Sequence, residues 1–185
     1  MFCPFQGEQL NGLLYNVFIN ESHDINDFVK LHPSSIWNDD KTIHNNNASN
    51  LLRFDINDKY YRWHSAGDIK YPYIIFEFTR NFIFITNYSF ALLDDKYPVS
   101  WIVQGSSSIH SKSWKTISTV NGFSLDPLKT IVTFPTTNGL FKAIKFRMIK
   151  NNINDVEGYK HVFALKKVEF FGYFGNNEKF VECYI

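Results

Sequence analysis

At 185 residues the chain has room for one domain with a sizeable core. An aromatic content of 18%, with 19 Phe and 10 Tyr, excludes a disordered chain and suits strands whose large side chains fill a sandwich interior. Lys and Arg number 19 against 18 Asp and Glu, and a formal net charge of +1 supplies no broad positive field for a phosphate backbone, which argues against nucleic acid as a partner.

The first residues lack the basic region, apolar stretch and cleavage site of a secretory leader. Cys3 and Cys183 read as reduced thiols of a cytoplasmic protein. Leu10, Leu13, Leu14, Val17 and Phe18 fall at helical spacing and predict a short amphipathic helix, weakened by Gly12, that packs one face on the main body. Residues 1–33 are therefore expected to form a helical extension and residues 34–185 a β-sandwich. The run from Trp37 and Asn38 to Ser49 is polar and turn-forming, which predicts a long exposed loop. Asn-x-Ser sequons at Asn20, Asn47 and Asn87 read as accidents of an Asn-rich chain.

From Tyr71 the hydrophobic period becomes two. Ile74, Phe76 and Phe78 predict one strand; Ile83, Ile85, Tyr88 and Phe90 predict a second after a turn at Arg80 and Asn81. Glu77, Arg80 and Asn81 interrupt the most apolar stretch, so no membrane span is expected. Pro98 opens a strand through Trp101 and Val103 that ends at Gly105 and a run of serines. Ile144, Phe146 and Met148 face one way while Lys145 and Arg147 face the other, predicting a strand with one wet face. A last strand is expected from Leu165 to Phe171, with Glu169 among the charges that stay in water. Short strands with turn signals between them indicate an all-β sandwich or barrel.

Several segments occur in a familiar order. They are Asn50-Leu51-Leu52, Trp63-His64-Ser65, Tyr73-Ile74-Ile75-Phe76, Pro98-Val99-Ser100-Trp101 with Gly105-Ser106 and then Trp114, Phe141 to Lys145, and Leu165 to Gly172. In that order they resemble the discoidin (coagulation-factor type C) domain, a galactose-binding-like jelly-roll β-sandwich. The helical preface around Asn11 to Leu14 resembles an extension found before such domains in intracellular proteins of single-celled eukaryotes. The resemblance implies Trp101 and Trp114 as core anchors, and a family that binds and does not catalyse. Ser107 and Ser108 replace the family's Asn-Asp, and Lys142 and Lys145 stand where it has Arg. The cysteines that staple secreted members are not at matching positions.

The six His are scattered, and no metal-ligand pair, nucleophile elbow or phosphate loop occurs, so no enzyme activity and no cofactor are expected. Asp39, Asp40, Asp55 and Asp58 are acidic but lack the spacing of a calcium loop. The densest mixture of aromatic and polar side chains lies in Trp37, Asn38, Tyr60, Tyr61, Arg62, Trp63, His64 and Asp68, the expected partner site. Lys145 and Arg147 read as a solvated face. The first functional reading is an intracellular protein-interaction scaffold, of the kind built into cytoskeletal or ciliary assemblies. The alternative is a lectin-like module for a carbohydrate or a phospholipid headgroup.

Overall fold

The computed structural model describes residues 2–3, 10–20, 24–37, 47–53, 61–93, 96–126, 128–129, 131–153 and 161–175. In chain order the strands are β1 (Phe2–Cys3), β2 (Val29–Pro33), β3 (Trp63–His64), β4 (Tyr73–Phe78), β5 (Phe82–Ala91), β6 (Pro98–Ser106), β7 (Lys115–Val120), β8 (Ile131–Phe141), β9 (Ala143–Asn151), β10 (Ala164–Leu165) and β11 (Lys167–Gly175). Among the described residues one α-helix, α1, spans Leu13–Asn20. It is too short to cross a membrane, as is every described helix. The strands form a four-stranded sheet in the order β1-β11-β5-β8, a five-stranded sheet in the order β2-β4-β9-β6-β7, and a small β10-β3 pair. All pairings are antiparallel.

The alternation of apolar residues dictates how the two large sheets meet. Ile74, Phe76 and Phe78 of β4 and Ile144, Phe146 and Met148 of β9 are buried, and they share the core with Ile83, Ile85, Tyr88 and Phe90 of β5 and Phe170 of β11. Phe170 stacks on Phe146 at 5.9 Å and meets Phe76 edge-on at 5.2 Å, so the sheets interlock through rings. In β5 the inward set steps from Ile85 to Tyr88, three residues instead of two. A β-bulge between Ile85 and Asn87 absorbs the extra residue. A matching irregularity on β11 lies between Phe171 and Gly172, whose φ of 137° and closeness to the Phe84 carbonyl leave no place for a side chain.

The five-stranded sheet reaches back to Val29, inside the segment 1–33 expected to be a helical extension packed on the sandwich. Gly12 does not weaken the helix. It lies just before the first turn, where its carbonyl accepts the Asn16 amide (3.1 Å), and a Cβ there would run into the Phe170 carbonyl and the Glu169 side chain. Gly12→Ala is thus expected to cost about 1–3 kcal/mol through overpacking, read as a lower melting temperature. An unchanged midpoint would mean that α1 can lift away freely.

Glu169 is fully buried, although the alternation of β11 suggested a wet position. Its face is covered by the start of α1, and its carboxylate accepts the amides of Leu14 (2.8 Å), Tyr15 (3.1 Å) and Phe170 (2.9 Å). A carboxylate at a helix N-terminus satisfies otherwise orphaned donors and complements the helix dipole.

Candidate functional site

One end of the sandwich is built from the strap 34–37, the segment 61–71, and residues 161–163 before β10. The strap is stitched down by short polar side chains. Ser34 donates its amide to the Tyr73 carbonyl (2.8 Å) and accepts the Tyr73 amide on its hydroxyl (2.9 Å). Ser35 accepts the Trp63 indole on its carbonyl (3.2 Å) and the Ala66 amide on its hydroxyl (2.9 Å). Trp37 donates its amide to the His64 carbonyl (2.7 Å). Ser65 in turn exchanges hydrogen bonds with the Phe163 backbone at 3.0 and 2.8 Å. These bonds tie the described backbone of this end together, and a backbone so held lowers the ordering cost of any binding there.

On this support the predicted residues separate into two groups. Trp63 is fully buried and His64 nearly so, because β3 pairs with β10 and turns both side chains away from water; Trp63 lies edge-on against Phe163 at 5.2 Å. Both lie beneath the surface of this end and present no side chain to solvent. Trp37 is half-buried, meets the His64 ring edge-on at 5.7 Å, and rests on Leu93, Val162 and Ala164. Tyr61 is half-buried beneath the Arg53 guanidinium, 3.7 Å from its ring centroid. Arg62 is half-buried, with its carbonyl held by Asn50 (2.9 Å), and Asp68 is exposed. Asn38 and Tyr60 lie outside the described residues, as do Asp39, Asp40, Asp55 and Asp58.

Tyr71 was not singled out by the sequence, yet it is exposed at the same end in a left-handed conformation (φ 62°). A bulky non-glycine residue pays about 1–2 kcal/mol to sit there. Such strain concentrates at ligand clamps, and Lys70 lies 5.2 Å over the Tyr71 ring. Beside the strap, an open groove of about 460 Å³ runs along the edge strand β2, with Asn26, Lys30, His32, Asn47 and Ser49 among its walls and Ile36 at its end. Its polar walls carry amide, hydroxyl, amine and imidazole groups suited to hydroxyl-rich ligands. Trp114, expected in the core, is instead half-buried on the outside, where its indole donates to the Ser111 carbonyl (3.0 Å). Among the described residues no group of three His, Cys, Asp or Glu side chains is placed to hold a metal ion.

Two antiparallel sheets locked through an aromatic core, with a stitched loop end, make a β-sandwich of the galactose-binding-domain-like fold. Particular structures with this fold are carbohydrate-binding modules. A chitosan-binding module of a Paenibacillus chitosanase/glucanase, solved with chitotriose, is 15% identical with a TM-score of 0.59, covering 79% of this chain and 97% of that one. The CBM32 module of AlyQ, solved with 4,5-unsaturated mannuronic acid, is 13% identical with a TM-score of 0.57, covering 78% and 95%. A CBM32 module of Clostridium perfringens, solved with GalNAc-β-1,3-galactose, is 14% identical with a TM-score of 0.55, again covering 78% and 95%. No family model matches the sequence, and comparison with curated proteins finds no relative.

Proposed function

We propose that this chain is a non-catalytic carbohydrate-binding module that holds a short glycan at the loop end formed by residues 34–37 and 61–71. The observation that carries this reading is the presentation of Trp37, Tyr61 and Tyr71 beside Arg62 and Asp68 on a backbone fixed by Ser34, Ser35 and Ser65. A sugar ring offers an apolar C–H face and a rim of hydroxyls. Aromatic faces shed water onto the first, and charged or amide groups fix the second with charge-assisted hydrogen bonds. The fold neighbours solved with bound saccharides support this reading over the cytoskeletal or ciliary scaffold, which no comparison supports.

A glycan array probed with the purified protein tests the proposal. Wild type is expected to retain at least one oligosaccharide class, and Trp37→Ala or Tyr71→Ala to weaken that retention by roughly tenfold, the equivalent of about 1.4 kcal/mol. Failure of the wild type to retain any glycan, or full retention by both folded variants, would contradict the assignment.

A further inference from the structure

The outer face of the five-stranded sheet carries a second pattern that the loop end does not use. Alternation on β9 turns Lys145 and Arg147 outward while Ile144, Phe146 and Met148 fill the core. Strand pairing places Tyr73 of β4 beside Arg147 and Gln104 of β6 beside Lys145. The Lys145 ammonium lies over the Trp114 ring, 4.0 Å from its centroid. Tyr73, Arg147, Lys145 and Trp114 therefore form a diagonal of two cations between two aromatic rings, spanning about 15 Å from the spacing of strands and the rise along them.

The charges on this diagonal are not neutralised by the sheet. Glu77, the outward carboxylate on β4, is engaged at 2.8 Å by His32 on the far edge. Among the described residues the Arg147 Nε is closed off from water and finds no acceptor. Arg147 is half-buried, so its terminal Nη amines, and not the enclosed Nε, are the donors left for an oxyanion. Burial lowers the pKa of Lys145, and the nearby Arg147 charge lowers it further. An anion between the two cations relieves that repulsion.

We propose that this face is a second binding surface, distinct from the loop end, whose ligand is an acidic oligosaccharide bearing carboxylate or sulfate groups. Lys145 and Arg147 take the anionic groups, and Trp114 and Tyr73 take the apolar ring faces on either side. The proposal rests on the glycan reading only for the class of ligand, because none of its residues belongs to the strap or to segment 61–71. Two cations are fewer than the several phosphate contacts on which nucleic-acid binding rests, so a short acidic sugar is the occupant this face favours.

Calorimetric titration at low ionic strength tests it with a galacturonic acid hexamer, a κ-carrageenan hexasaccharide, a neutral N-acetylglucosamine hexamer and a single-stranded oligonucleotide. One or both acidic saccharides should bind, weaken as salt rises, and lose tenfold or more in affinity with Lys145→Glu or Arg147→Glu. Trp114→Ala should weaken them as well, with partial rescue by Trp114→Phe. The loop-end variant Trp37→Ala should leave these affinities unchanged, which separates failure of this proposal from failure of the first. The galacturonate and carrageenan arms, one bearing only carboxylates and the other only sulfates, distinguish a carboxylate ligand from a sulfated one. Binding of neither acidic saccharide, undiminished binding by the folded Lys145→Glu/Arg147→Glu double variant, or equal affinity for the oligonucleotide would overturn the proposal.

Discussion

Trp101→Ala is expected to lower the unfolding free energy by about 3–5 kcal/mol, the range for truncating a large buried aromatic. Trp101 is fully buried, and its ring sits 4.9 Å from Phe134, 5.6 Å from Phe90 and 5.7 Å from Phe123. Its indole donates to the Tyr88 hydroxyl (2.9 Å), which also faces the Ser118 hydroxyl at 3.3 Å. Burial pushes the Tyr88 hydroxyl pKa up, so it stays neutral and the polar pair carries no charge into the core. Truncation removes the packing of a ring that bridges both sheets and takes away one hydrogen-bond partner. Neither sheet can collapse into the gap, because each is tied to its own ladder. Trp101→Phe keeps most of the volume and should cost less, leaving about 1 kcal/mol for the lost hydrogen bond. Urea unfolding followed by circular dichroism measures both. A loss below about 1 kcal/mol for the alanine variant would contradict this account of the core.

Glu169→Ala is expected to destabilise the protein by a similar amount, about 3–5 kcal/mol, because three backbone amides lose their shared acceptor and Lys167, 2% exposed, loses the carboxyl group that acts on it. Burial pushes the Glu169 carboxyl up to about 7, against the opposing pull of its amide donors and Lys167. Burial likewise pulls Lys167 down to about 8, opposed by Glu169. The signs follow from proton counting. Between about 4.5 and 7 the folded state keeps a Glu169 proton that the unfolded chain has released, so this group makes stability fall as pH rises through that window. Between about 8 and 10.5 the folded state has lost a Lys167 proton that the unfolded chain still holds, so stability rises again. Glu169→Gln removes the first titration, and its unfolding midpoint should be flatter than wild type over the acidic window. Identical pH profiles for the two proteins would place the titrating group elsewhere.

The fold was legible where the physics is local. Strands β4, β5, β6, β9 and β11 follow from alternation, and the step from Ile85 to Tyr88 already carried the bulge. Strand β8 was missed because Pro135, Asn138 and Gly139 break the apolar alternation along it. At the edge of its sheet β8 tolerates a proline, whose missing amide can face away from its one partner. Strand β2 was missed because five residues ending at Pro33 give too short a pattern. Glu169 was misplaced for a different reason: alternation says which residues leave the core, but not that α1 covers that second face. The same ambiguity governs the candidate site. Tyr61, Arg62, Trp63 and His64 form one amphipathic cluster in sequence, and only the pairing of β3 with β10 shows that Trp63 and His64 go under while Tyr61 and Arg62 stay near the surface. Tyr71 carries no sequence signal, since its significance lies in a backbone angle.

Backbone amide shifts recorded during titration with the best oligosaccharide from the array test the central proposal most directly. Wild-type protein should show saturable shifts concentrated in residues 34–37 and 61–71, and the Trp37 indole signal should move with them. Wild-type shifts spread over the sheets without saturation, or confined to β6 and β9 for a neutral sugar, would contradict a glycan site at the loop end.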